Sequence, residues 1–284
     1  MKTAFVNGRY LPFAAAQVHI EDRGYQFADG AYEVCAVFNR RILDLEPHLV
    51  RLDRSLSELR IANPFTRNGW SEILNNTVAA NEVDTGIVYI QVSRGVAPRD
   101  HKFPNSIEPS VVVTSRPLDY ERVFQNGRAG LKVVTTPEIR WKRCDIKSIA
   151  LVASVLAKQR AVEANAAEAI FVRDDGVVTE GASTNVFIVD EDGTLRTHPS
   201  NNSILTGIVR MRALEFAAAS SCQVKEEAFS LADACRAREV FITSTTLAVS
   251  GVVTIDNCEI GEGKVGPLTQ RLIDRYEAHC IQGG

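Results

Sequence analysis

Ile139-Arg-Trp-Lys-Arg-Cys-Asp-Ile-Lys-Ser148 is the stretch on which the reading of this chain turns. It is rich in charge and runs straight into the apolar Ile149-Ala-Leu-Val-Ala-Ser-Val-Leu-Ala157. Lys142 and Arg143 suit a solvated surface, whereas Lys147 stands at the lip of the apolar run. Two readings of Lys147 are open. Its hydrocarbon stem can lie along apolar surface while the ammonium stays in water. Alternatively, its amine can be kept partly desolvated, which tunes it for Schiff-base chemistry. Only eight of the 32 basic residues are lysine, so each can be weighed singly. The arginines that make up the rest are better forks for carboxylates and phosphates.

Working outward, 131–136 reads as a strand before the stretch and 149–165 as an Ala- and Leu-rich helix after it. Strands follow at 168–173, 177–179 and 185–189, punctuated by the turns Asp175-Gly176 and Asp192-Gly193. A helix is expected over 207–220, a capping box at Ser230 and Asp233, a strand over 240–243 and a terminal helix over 267–280. Toward the N-terminus, Asn7-Gly8 marks a hairpin between 3–6 and 9–13. Further strands are expected at 31–37, 87–92 and 110–114. Leu49, Leu52, Leu56 and Leu59 recur at helical spacing, and a second helix is expected over 71–81. The polar, Pro117-containing stretch 116–127 is the natural break. The chain therefore reads as two mixed α/β domains over 1–117 and 125–284, joined by a linker at 118–124.

Bulk properties exclude several classes of function. A formal charge of −3 gives no electrostatic reason to expect nucleic acid or a membrane surface as partner. No apolar run reaches the roughly 18 residues a spanning helix needs, and the N-terminus lacks a signal-peptide pattern. The six cysteines contain no CxxC pair and read as reduced thiols, which suits the cytoplasm. The five histidines lack metal-ligand spacing, so no metal is expected. Gly261-Glu-Gly-Lys264 resembles a phosphate loop but has Cys258 and Val265 where Gly and Ser or Thr are required. Glu180 is ambiguous, as a carboxylate at a strand end is usually solvated. Gly207-Ile-Val-Arg210 could present free N–H groups at a helix start, a generic anion site.

Taken together, the segments resemble one family, the fold type IV pyridoxal-phosphate-dependent aminotransferases, and within it the D-amino-acid transaminase branch. The resemblance spans essentially the whole chain. It rests on Glu21-Asp-Arg-Gly-Tyr-Gln-Phe27, Tyr32-Glu33-Val34, His48-Leu-Val-Arg-Leu52, Arg94-Gly95, Pro98-Arg99, His101 and Arg143-Cys-Asp-Ile-Lys-Ser148. It continues through Thr179-Glu-Gly181, Asn185-Val-Phe187, Asn201-Asn202 and Thr243-Ser-Thr-Thr246. It implies a small N-terminal α/β domain and a larger C-terminal mixed α/β pseudo-barrel domain that binds pyridoxal 5'-phosphate.

The resemblance also implies residue roles. Lys147 matches the lysine that carries the cofactor and shuttles the proton at the substrate Cα. Glu180 matches the carboxylate facing the pyridine nitrogen, which keeps the ring a good electron sink. Arg51 matches the phosphate-binding arginine, with the N–H groups of Ile208 and Val209 and the Thr245 hydroxyl completing the phosphate cup. Leu205 matches the leucine packed against the ring. Tyr32, Arg99 and His101 match the trap for the substrate α-carboxylate, the last two reaching in from the neighbouring subunit of a homodimer.

The implied reaction is ping-pong transamination between D-amino acids, D-alanine first, and 2-oxo acids such as 2-oxoglutarate, through pyridoxamine phosphate. Within the fold, the alternatives are a branched-chain L-amino-acid transaminase, an (R)-amine transaminase and an aminodeoxychorismate lyase. A non-catalytic scaffold is the alternative outside enzymes. The Pro-Arg-x-His loop argues against branched-chain and amine substrates, and retention of Lys147 and Glu180 argues against a scaffold. Val209 replaces a usual threonine of the phosphate cup, Ala28 a usual glycine, and Ala36 a lysine found in some relatives.

Overall fold

A computed structural model describes residues 2–220 and 222–283. They form two compact units, one running to Asp119 and including Ile146–Ala150, the other holding Tyr120–Asp145 and Leu151–Gln282. The quoted stretch is therefore divided. Its first seven residues fold with the second unit and its last three with the first.

The first unit begins with the expected hairpin, in which β1 (Thr3–Val6) returns as β2 (Arg9–Pro12) with Val6 opposite Arg9. Asn7 and Gly8 both take positive φ, the geometry a two-residue hairpin turn requires. The hairpin joins β3 (Gly30–Phe38), β4 (Arg41–Ile42), β5 (Gly86–Ser93) and β6 (Ser110–Pro117) in an antiparallel sheet of order β2-β1-β6-β5-β3-β4. Three helices accompany it: α1 (Arg23–Phe27), α2 (Leu45–Glu58) and α3 (Arg67–Ala80). Leu49, Leu52 and Leu56 of α2 share one core with Trp70, Leu74 and Val78 of α3 and with Cys35, Val37, Val88 and Ile90 of the sheet. Along β3 the period-2 set Ala31, Glu33, Cys35 and Val37 is completely buried, so one carboxylate lies on an otherwise apolar face.

The second unit opens with α4 (Tyr120–Ala129), where sequence composition suggests a linker at 118–124. Its polar residues disguise a buried stripe of Tyr120, Phe124 and Gly127 at helical spacing. Strand β7 (Leu131–Pro137) is followed by α5 (Val152–Glu163), and β8 (Glu168–Val172) returns parallel to β7. Helix α5 starts three residues later than expected because Ile149 N–H donates to Gly30 O at 3.0 Å, an extended pairing within the first unit. The chain continues through β9 (Val178–Gly181), β10 (Asn185–Val189), β11 (Leu195–Thr197) and α6 (Ile208–Ala218). It ends with β12 (Val224–Glu226), α7 (Leu231–Arg236), β13 (Glu239–Ser244), β14 (Ala248–Ile255), β15 (Cys258–Glu259) and α8 (Pro267–Gln282). The capping box of Ser230 and Asp233 opens α7 as expected.

The sheet runs β12-β11-β10-β13-β14-β7-β8-β9, and an additional β9–β10 pairing closes it on itself. That closure is a single residue pair, Glu180 opposite Asn185. Closure leaves no open edge at β9, and it places Glu180 on the seam of the barrel. The expected α/β architecture, with a pseudo-barrel in the C-terminal part, is what the structure shows.

Candidate active site

In the first unit, Lys147 lies on a short extended segment that pairs with the start of β3. Tyr32 N–H donates to Lys147 O at 3.0 Å, Ala31 bridges Ser148, and Lys147 N–H donates to the buried Ser55 Oγ at 3.2 Å. The backbone of Lys147 is thus fixed on both sides, while its side chain is left for other work. Its Nζ stands 4.1 Å from the centroid of the Tyr32 ring, a cation–π contact. Among the described residues Nζ has no carboxylate partner. Tyr32 in turn packs on Tyr89, whose hydroxyl burial and the nearby Tyr32 push up to about 12.

Arg51 does not stand alone. Its Nε donates to Glu33 Oε1 at 2.7 Å and its Nη2 to Oε2 at 2.8 Å, while His48 Nδ1 lies 2.7 Å from the same Oε2. The cluster forms because α2 carries His48, Arg51 and Ser55 at helical spacing and the buried face of β3 carries Glu33. Burial alone would raise the Glu33 carboxyl, but Arg51 and His48 hold it far below the usual carboxylate range. Burial would lower Arg51, yet Glu33 raises it. His48 is pushed down by burial despite its bond to Glu33. The guanidinium plane of Arg51 is fixed by two parallel bonds, the strongest geometry such a pair has.

Arg99 and His101 lie on the exposed loop after β5, where Arg99 Cζ sits 5.0 Å from the Phe27 ring centroid and the His101 ring 5.3 Å from it. Buried Arg23 pins this loop, donating to Asp100 O at 2.6 Å while its Nε binds Asp29 at 2.9 Å. Arg94 binds both oxygens of Asp29 from the other side. Among the described residues no hydrogen bond or ring contact joins Arg99 or His101 to Tyr32 or Lys147. The structure therefore does not bring the expected carboxylate trap together within one chain.

In the second unit, Glu180 is buried and held by three donors. Asn185 Nδ2 and Leu205 N–H donate to Oε2 at 3.0 and 2.9 Å, and Arg140 Nη1 donates to Oε1. A carboxylate has about four acceptor positions, so one is left on the Oε1 side. Burial raises the Glu180 carboxyl, and Arg140 works against that rise. Gly207 is required here because a Cβ would overlap Asn185 Oδ1. Immediately after it, Ile208 and Val209 begin α6, their first-turn N–H groups having no acceptor within the helix and no side-chain cap from Gly207. Both side chains are buried, so Val209 offers this helix start only its backbone. Thr245 lies in the turn between β13 and β14, where its carbonyl accepts the Tyr120 hydroxyl at 2.6 Å.

The model of the amino-transferase class IV family matches residues 30–255. The chain belongs to the class IV aminotransferases. A D-alanine aminotransferase of Staphylococcus aureus (strain MSSA476) is 38% identical over 98% of both chains. That of Bacillus licheniformis is 41% identical over 96% of this chain and 94% of its own. Among solved structures, the branched-chain amino acid aminotransferase from Escherichia coli superposes with a TM-score of 0.89 at 20% identity, covering 99% and 95% of the two chains. A hypothetical aminotransferase from Mycobacterium tuberculosis, in a PLP-bound form, gives 0.84 at 21% identity over 99% and 100%. At those identities the structural matches establish the fold.

Several residues that hold these side chains in either unit escape sequence reasoning as separate features. Glu33 has a legible signal, since it is the lone acid at every-second-residue spacing through 31–37. His48 also has one, three positions before Arg51 on the same helix. Arg140, Glu138 and Asn185 have none: Arg140 and Asn185 matter because they bond Glu180, and Glu138 because it holds Arg140.

Proposed function

We propose that this class IV aminotransferase transfers amino groups reversibly between D-amino acids, D-alanine among them, and 2-oxo acids such as 2-oxoglutarate, in two ping-pong half-reactions. Its cofactor is pyridoxal 5'-phosphate. The observation that carries this reading is the 38–41% identity to D-alanine aminotransferases over nearly the whole length of both chains. The retained Pro98-Arg99-Asp100-His101 loop supports it.

The residues present fit the cofactor. Lys147 holds an amine without a carboxylate partner, Glu180 keeps one acceptor position open, and the start of α6 offers uncapped N–H groups. Bound pyridoxal phosphate supplies an electron sink for the pair left at the substrate Cα. Lys147 would hold it through its amine and would move the proton at the substrate Cα. Glu180 would set negative charge at the ring nitrogen, and Leu205 would face the ring. Arg51, locked in plane by Glu33, binds the phosphate together with Ile208 N–H, Val209 N–H and the Thr245 hydroxyl. Losing the usual threonine hydroxyl at Val209 costs about 1 kcal/mol of that grip. Tyr32, Arg99 and His101 bind the α-carboxylate. With D-alanine and 2-oxoglutarate, pyruvate and D-glutamate are expected in equal amounts; L-glutamate as the product would contradict the reading.

The working molecule is a homodimer. Val152, Val155, Leu156 and Val162 form one face of α5 and are 74%, 63%, 58% and 60% exposed in the single chain. Helix α5 buries only Ala157 and Ala161, so its larger apolar side chains are the ones left uncovered. A second copy covers them and supplies Arg99 and His101, which a single chain leaves on an outer loop. Val155→Asp with Leu156→Asp is expected to halve the mass seen by sedimentation and to remove activity; an unchanged dimer would exclude this face. None of the six cysteines forms a disulfide, which supports a reducing, cytoplasmic setting. No helix among the described residues is long and apolar enough to cross a membrane.

A further inference from the structure

Glu180 is buried, and its three recorded donors differ in kind. Asn185 and the Leu205 amide are neutral dipoles, and both serve Oε2. Arg140 is the one full positive charge among them, and its bond goes to Oε1, the oxygen with an open acceptor position. Such a carboxylate keeps its charge only if a cation stands by it.

Arg140 is itself held on all sides. Its Nε and Nη2 fork onto Glu138 at 2.9 and 2.6 Å, and its backbone N–H donates to the same carboxylate at 3.1 Å. Nη2 also reaches Thr179 Oγ1 and Ser203 O, each at 3.3 Å. The guanidinium carbon lies 4.3 Å from the Phe171 ring centroid, so the plane is stacked as well as forked. Thr179 Oγ1 donates to Glu138 Oε2 at 2.7 Å, tying β9 back to the same clamp. Every contact fixes the plane in which Nη1 points at Glu180. The clamp is built on the barrel, since Glu138 N–H donates to Val172 O at 2.9 Å and extends the β7–β8 pairing.

We propose that Arg140 is a positioning residue of the transamination reaction: clamped by Glu138, it fixes the orientation and the charge of Glu180. The proposal rests on the reading that Glu180 serves the ring nitrogen of the cofactor. The role assigned to Arg140 is exerted through Glu180, with no bond of its own to substrate or cofactor. Charge by itself does not suffice. A lysine would carry charge to the position but lacks the fork and the flat face that the Glu138 and Phe171 contacts use.

The experiment uses the holoenzyme and its Arg140→Met and Arg140→Lys variants, the lysine being the milder change should the first prove poorly folded. Three quantities are read: the pH titration of the bound cofactor's absorbance, the affinity of the apoenzyme for pyridoxal 5'-phosphate, and the pH profile of kcat. Removing the cation raises the Glu180 carboxyl further. The acid limb of kcat should therefore move to higher pH in Arg140→Met, and the absorbance should titrate along the same limb. Cofactor affinity and kcat should each fall by about 10- to 100-fold, the range seen when the groups behind metal ligands are removed. Arg140→Lys should shift the same limb by less. A variant with lowered thermal stability but the wild-type absorbance titration and acid limb would overturn the proposal, since a merely structural role predicts that result. Wild-type protein that takes up no pyridoxal 5'-phosphate would overturn the Glu180 reading, and the proposal with it.

Discussion

Lys147→Ala is expected to lower D-alanine transamination by about 10⁴-fold, the upper end of what a positioned acid–base group contributes. The loss should appear in kcat, because the proton at Cα is moved only as bonds change and not when substrate binds. The fold should survive. What ties this segment to β3 and α2 is the backbone of Lys147, its carbonyl accepting from Tyr32 and its amide donating to Ser55. Alanine keeps both bonds and gives up one cation–π contact at a half-buried site, so stability should change by no more than about 1 kcal/mol. Steady-state kinetics with a denaturant titration separates the two effects. A variant that retains more than a few per cent of wild-type kcat would remove Lys147 from the chemistry.

Glu33→Ala is the second large effect, and it acts on stability. It leaves Arg51 and His48 buried without their shared anion, and breaking such a pair from one side costs about 3–5 kcal/mol. Glu33→Gln keeps acceptor and shape, and should cost less. The pH dependence follows from the signs. Glu33 is held below its ordinary value, so its contribution is present above the unfolded value of about 4.3 and is lost as pH falls toward the folded one. His48, lowered by burial, adds a loss that begins as pH drops through its unfolded value of about 6.5. Guanidinium titrations from neutral to mildly acidic pH should therefore show stability declining throughout, with the lower part of the slope flattened in Glu33→Gln. A Glu33→Ala protein within about 1 kcal/mol of wild type would show that the cluster is not the anchor of Arg51.

These two residues also mark how far the sequence can be read. Periodicity locates most elements of the first unit, because Asn7-Gly8 and the leucines of α2 are local signals. It also exposes Glu33 as an acid on an apolar strand face. It does not reveal that Arg51, eighteen positions on, is the partner, since that depends on how α2 packs against β3. Strand β14 is harder still. Gly251 interrupts its apolar run, and only the barrel explains why it is central: a Cβ there would collide with Val265. Helix α4 was hidden by composition, its buried stripe diluted among Glu, Arg, Gln and Asn. The opening stretch is the sharpest case. Arg140 and Lys147 are neighbours in sequence, yet 139–145 and 146–150 fold into different units, and Arg140 joins Glu180 forty positions away. Lys147 and Glu180 are legible by resemblance, whereas the arginine between two glutamates becomes visible only in the folded barrel.

Action on D-amino acids is the property on which every other role proposed for this aminotransferase depends. It is tested most directly by mixing the holoenzyme with D-alanine and, separately, with L-alanine, without an acceptor, and following the cofactor's absorbance. The absorbance of the bound pyridoxal form should disappear with D-alanine and persist with L-alanine over the same time. Its disappearance with L-alanine alone would contradict action on D-amino acids.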